Sequence, residues 1–288
     1  MKSQAQQFAW MFIIIAGAII IAFFVLITVR YMSLQELKEN AEVSLSLYNQ
    51  LYGLKKISTQ AALPINLWFP RKISFSCGSF QVGNFLSLSL SKQIVFAPSK
   101  IETNKLLVWM VPWKYPFFVD NVFLISSPKE SYTLVYDTSS AEFVRKIPNL
   151  FNLAKTQGTP STIAGKTISL ASYSADVNID LANQEVEISG STYPLFGDAL
   201  AYGAMFADDY ECMVDICLAK LLDIAKIYEQ KASYMQLYYR NCNYGPIKQK
   251  IQSFIKAIED KDYSKIKQYS KEIDLLNNQF SGECPPVY

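Results

Sequence analysis

The chain contains no histidine, which removes Ser-His and Cys-His nucleophiles and imidazole metal ligands together. Chemistry then falls to carboxylates, lysines and five cysteines: Cys77, Cys212, Cys217, Cys242 and Cys284. None of these form a Cys-x-x-Cys pair, so the zinc spacing is missing and the thiols read as disulfide partners. Two acidic groups invite a functional reading. Asp176-x-Asn178-x-Asp180, with Glu187 at the twelfth position, imitates a calcium loop. Position six, which needs glycine, is Leu181, and Val177, Ile179 and Leu181 alternate as in a strand, so the spacing predicts an exposed strand face. Asp208, Asp209, Glu211 and Asp215 could be paired acid and base. They fall at a helix start, where carboxylates offset orphan amides and the positive dipole end by about 0.3–1 kcal/mol each. No catalytic residue, cofactor or metal is predicted, and the expectation is a non-enzymatic protein, with a carboxylate-dependent envelope enzyme as the competing class.

Trp109, Trp113, Tyr115, Phe117 and Phe118, threaded with Pro112 and Pro116, are the candidate partner surface. Aromatics are core by default, but so dense a cluster also suits stacking against another molecule. Net charge is +2, with 27 basic residues interspersed among 25 acidic ones, so no basic patch points to nucleic acid.

The elements that must position these residues begin with a short polar tail, 1–7. Residues 8–29, Phe8 to Val29, carry no charge and at ~1.5 Å per residue span roughly 33 Å, enough to cross a hydrocarbon core. Arg30-Tyr31-Met32 follows directly, without a small-x-small cleavage site, so an uncleaved single-pass transmembrane anchor is expected, with the lipid bilayer as first partner. Within it, Gly17 and Ala18-x-x-x-Ala22 would let two anchors approach, which makes self-association one expected partnership and a protein partner the other. Lys2 against Arg30 and Lys38 leaves orientation nearly tied. All five cysteines follow the anchor, and this favours an extracytoplasmic C-terminal domain.

Residues 30–63 predict a juxtamembrane amphipathic helix with Leu34, Leu37, Ala41, Leu45, Tyr48 and Leu51 on one face, ending between Gly53 and Pro64. Residues 64–200 predict an α+β head, its period-two runs at Ile73–Phe75, Phe85–Leu90, Leu106–Val111, Asn121–Ile125, Tyr132–Tyr136, Thr167–Ala171, Val177–Leu181 and Glu185–Ile188. A helix at Ser140–Lys146 and a short turn at Asn149–Ala154 interrupt them. Residues 201–288 predict a helical region: a long helix from about Asp209 to Arg240, then two antiparallel helices, Ile247–Glu259 and Tyr263–Phe280. Its long helix carries an apolar stripe, Val214, Cys217, Leu218, Leu221, Ala225, Tyr228, Ala232 and Met235.

This layout predicts disulfides. The last two helices have similar lengths, so the second returns the chain to where the first began and brings Cys284 to Cys242. Cys217 lies on the apolar stripe and is expected as a buried thiol, leaving Cys212 to reach Cys77.

Phe8-Ala9-Trp10-Met11-Phe12 and Tyr202-Gly203-Ala204-Met205-Phe206-Ala207-Asp208, leading to Tyr210-Glu211-Cys212, resemble an uncharacterised group of archaeal single-pass membrane proteins. Those proteins have an N-terminal anchor, an α+β head and a Tyr-Glu-Cys helix start. Met213 departs from the polar or basic residue they carry next. The resemblance implies a cell-envelope setting and no activity. Lys2-Ser3-Gln4-Ala5 also looks like a prepilin-type processing site, although Gln4-Ala5-Gln6-Gln7 delays the apolar run, and this gives a pilin-like filament subunit as a further alternative.

Overall fold

The computed structural model describes residues 2–55, 60–90, 93–158, 165–171, 173–280, 282 and 284–288, except for the side chains of 2–9 and 11–13. The side chains of the prepilin-like start, Lys2 to Ala5, and residues 56–59 of the predicted juxtamembrane segment therefore lie outside the description. The fold is α+β: a long apolar N-terminal helix, two mixed sheets and C-terminal helices.

The first helix, α1 (Lys2–Leu54), runs 53 residues without a break, about 80 Å at 1.5 Å per residue. No proline interrupts it, and Gly17 is the sole glycine before Gly53. Among the described residues this helix alone is long and apolar enough to cross a membrane, and its apolar window buries nothing within the chain. Its second half docks on the head by a face turned away from the predicted one: of the predicted residues Leu51 is buried, and Ala41 and Tyr48 are partly so. The buried positions are Asn40, Ser44, Leu47 and Leu51, while Leu34, Leu37 and Leu45 stay exposed. Close approach decides this. Gly83, at φ +53°, sits against Asn40, and a Cβ there would lie 2.4 Å from the amide nitrogen. Ser44 turns its hydroxyl back onto the Asn40 carbonyl at 2.7 Å, so the small polar side chains admit the sheet where leucine would hold it away.

The first sheet holds β1 (Ala61–Ser76), β2 (Ser79–Val82), β3 (Leu88–Ser89), β4 (Ile94–Phe96), β5 (Lys100–Lys114) and β6 (Phe118–Ser126) in the order β3-β2-β1-β5-β6-β4. β4 lies parallel to β6, and the other pairs are antiparallel. The predicted strand Phe85–Leu90 shrinks to two residues. It pairs with β2 only through Ser79↔Ser89 and Phe80↔Leu88, although β2 runs on to Val82. β1 instead begins at Ala61 and carries Pro64 and Pro70. Its register with β5 slips between Asn66 and Arg71, so Leu67–Pro70 bulges from the ladder.

The second sheet, β12-β11-β10-β9-β7-β8, contains β7 (Tyr132–Tyr136), β8 (Leu153–Gln157), β9 (Lys166–Ser169), β10 (Val177–Asp180), β11 (Glu185–Ile188) and β12 (Ser191–Pro194). β8, β7, β9 and β10 are parallel, and α2 (Ala141–Arg145) lies between β7 and β8. Where a turn was expected at Asn149–Ala154, the chain enters β8. Parallel pairing needs such a crossover.

The C-terminal helices are α3 (Asp198–Phe206), α4 (Tyr210–Tyr238), α5 (Gly245–Glu259) and α6 (Tyr263–Asn277). The α4 stripe is buried as predicted, Cys217 included, with Tyr228 partly covered. One continuous core runs from Ile94 to Val287 and joins one face of β4, β5 and β6, the second sheet and the C-terminal helices. A second, smaller core lies under α1, on the other face of the first sheet. Two cysteine pairs stand at disulfide distance, Cys77–Cys212 with Cα atoms 5.8 Å apart and Cys242–Cys284 at 5.6 Å. Where α1 ends, Lys55 and Lys220 both pair with Asp120 of β6, the first at 2.9 Å, which joins α1, the sheet and α4.

Candidate partner-binding surface

Four of the five aromatics predicted to form a surface are interior. Trp109 packs on the Tyr202 ring at 4.6 Å, and Trp113 donates its indole N–H to the Phe196 carbonyl at 2.7 Å. Tyr115 meets Phe196 edge-on at 5.3 Å, and Phe117 stacks on Tyr228 at 4.3 Å. Phe118, at the first position of β6, is exposed. The correction has a physical cause: β5 and β6 are central strands with helices on one face and α1 on the other, so both faces must be apolar.

The acidic groups are also consumed locally. Asn178 and Asp180 on β10 face Glu187 and Glu185 on β11, an exposed strand face as expected. With Asp137 they line an open crevice of about 750 Å³ at the carboxyl ends of β7, β9 and β10. The Asp137 carboxylate accepts from the Ser140 hydroxyl at 2.7 Å, the Ser139 hydroxyl at 2.8 Å and the Ser140 amide at 2.9 Å. These bonds, with that of the Ser140 hydroxyl the strongest, hold its pKa down at about 2. Asp180 accepts from the Asn183 amide at 2.9 Å, Asp176 from the Thr167 amide at 2.8 Å, and Glu185 lies 3.6 Å from Lys267.

The helix-start group disperses in the same way. Asp208 accepts from the Ser99 amide and hydroxyl at 2.8 and 3.0 Å and lies 3.5 Å from Lys166, whose pKa burial pushes down. Asp215 pairs with Lys261 at 2.7 Å, and Asp209 takes the N-cap position of α4 without a side-chain cap bond. Asp209 also lies beside Cys77 and Cys212, but the two sulfurs are bonded to each other and offer no thiolate to a metal. Burial raises the Cys217 thiol well above its ordinary range, which keeps it protonated and unreactive.

Besides that acidic crevice, the head leaves two apolar patches open. At the C-terminal end of α4, Tyr234, Leu237 and Tyr238 are 72, 73 and 84 % exposed, with Ile227 about two turns before Tyr234 on the same side. Together they leave on the order of 600 Å² uncovered, at the upper limit of what a soluble monomer tolerates. Tyr239 closes the patch through an edge contact with Tyr238 at 5.4 Å. A second exposed pair stands on the β1 bulge, where Trp68 is 92 % exposed beside Phe69. It borders a groove of about 450 Å³ between the bulge and α1, whose rim carries the Arg71–Glu39 ion pair. Both patches were missed in the sequence. Signals existed: Pro70 lies in the bulge and Pro64 just before it, since proline in a sheet sits at edges or irregularities, and Tyr234 and Tyr238 fall off the buried stripe of α4. Comparison with protein-family models, curated proteins and solved structures finds no match to this chain.

Proposed function

We propose that the protein is a single-pass membrane protein holding a non-enzymatic binding head on the extracytoplasmic side, and that the head engages a protein partner through the end of α4. The carrying observation is the exposed Tyr234, Leu237 and Tyr238 set. Tyrosine combines a large apolar face with a polar tip at low entropic cost, which is why partner surfaces are rich in it. The rest of the reading is supported by the apolar, uncovered first half of α1 and by two cysteine pairs suited to an oxidising compartment. Of the carboxylates that line the open crevice, Asp137 and Asp180 are tied into turns and Glu185 into an ion pair with Lys267, which weighs against the enzyme class.

The test is the native complex, extracted from the source membrane in mild detergent and sized. The Tyr234→Glu, Tyr238→Glu double variant places two charges in the patch without touching the core. It is expected to run at the mass of the chain without its partner. A complex of unchanged mass and composition overturns the assignment of this surface.

A further inference from the structure

The half of α1 that carries the head presents two stripes, and the head uses the more polar one. Asn40, Ser44, Leu47 and Leu51 are buried, while both polar atoms of the Asn40 amide have no hydrogen-bond partner among the described residues. The apolar stripe Leu34, Leu37, Ala41, Leu45, Tyr48 and Tyr52 follows the 3.6-residue period; Leu34, Leu37, Leu45 and Tyr52 are exposed, Leu34 at 61 % and Leu45 at 53 %, while Ala41 and Tyr48 are half-buried at its edge toward the head. At 100° per residue its centre lies about a quarter turn from the buried one.

We propose that this stripe pairs with the same stripe of a second copy, forming a parallel two-fold dimer along α1. The proposal rests on the single-pass reading above. An anchor fixes every copy with one orientation and one height, so a second copy alone is certain to present Leu34 and Leu45 level with themselves. The stripe is continuous with the lipid-facing segment: carried back at the same spacing it passes Ile27, Phe23 and Ala16. Arg30 falls on the same line at the headgroup level, where its long side chain reaches lipid phosphates. The quarter-turn offset sends the two heads to opposite sides of the helix pair, which leaves the seam open to both. The stripe offers about 400 Å² per copy, about 800 Å² over the pair, short of the roughly 1,200 Å² in total that a freestanding interface buries. Confinement in a bilayer supplies the difference by raising effective concentration, so pairing belongs to the anchored chain.

The experiment uses the full chain alone in phosphatidylcholine vesicles. Single substitutions Leu34→Cys, Leu37→Cys and Leu45→Cys are oxidised beside Gln35→Cys, Glu36→Cys and Ser46→Cys, which lie around the helix. The stripe positions are expected to cross-link at least fivefold more than the others. Equal yields at all six, or no dimer at any, overturn the pairing. Independently, Leu34→Glu with Leu45→Glu is expected to lower the copies per fluorescent spot, counted by stepwise photobleaching of sparsely loaded vesicles of the same lipid, from two to one, and an unchanged count overturns the seam. Flotation of the same vesicles reads the anchor separately. A chain that floats without cross-linking refutes the dimer alone, whereas one that fails to float refutes the single-pass reading.

Discussion

Removing the Cys77–Cys212 link should be the most damaging covalent change to the head. The bond ties the turn after β1 to the start of α4 across 135 residues of chain. Closing a loop of that length removes unfolded-state entropy worth about 5 kcal/mol, against about 4 kcal/mol for a loop the size of Cys242–Cys284. That second link spans 42 residues and does not overlap the first, so the two contributions add. Both figures are ceilings, because residual order in the unfolded chain already holds part of that entropy. For a head of this size each kcal/mol moves the melting temperature by about 2–4 °C. Cys77→Ser with Cys212→Ser should therefore lower Tm by roughly 10–20 °C, read from the near-ultraviolet dichroism of the buried tryptophans. The Cys242→Ser, Cys284→Ser protein should fall by somewhat less, and the fourfold variant should be unfolded at 37 °C, since a loss near 9 kcal/mol rivals a whole domain's stability. A Cys77→Ser, Cys212→Ser chain melting within about 3 °C of the wild type would refute the reasoning.

Asp120→Asn should leave two ammonium groups facing each other at the joint between α1, β6 and α4, destabilising the head by about 2–4 kcal/mol; the added change Lys220→Met should restore part of it in a double-mutant cycle, and additive losses would contradict the coupling. The Asp137 carboxyl, held at about 2 against an unfolded 3.8, contributes stability that is complete above pH 4 and disappears as pH falls through 2. Acid titration of Asp137→Asn should show a shallower loss of stability across that window than the wild type, and superimposable curves would count against the hydrogen-bonded turn.

Legibility in the sequence followed the length and regularity of each pattern. The α4 stripe, the two closing helices and both cysteine pairings were readable because 3.6-residue periodicity fixes lengths, and lengths fix where chain ends meet. β7 was read residue for residue, being short, apolar and bounded by turns. α3 was missed because every residue from Ala199 to Phe206 is buried, which leaves no polar face to mark a period. The face of α1 was misjudged for a different reason: hydropathy favours leucine inside, but Gly83 permits a contact so close that Asn40 and Ser44 fit where leucine does not. The aromatic surface failed on context. Trp109 and Phe117 would look the same in a strand facing water, and only the helices arriving from elsewhere in the chain decide that they do not.

The unbroken α1 also makes the head the far arm of a lever. From Val29 to Leu54 the helix runs about 37 Å with no hinge, so with its apolar half in a bilayer, as proposed above, a 20° tilt would displace that end sideways by about 13 Å. Tilt follows hydrocarbon thickness, because an apolar rod longer than the local bilayer leans to fit. Lipid composition would thereby set where the head points, without any bond inside it changing.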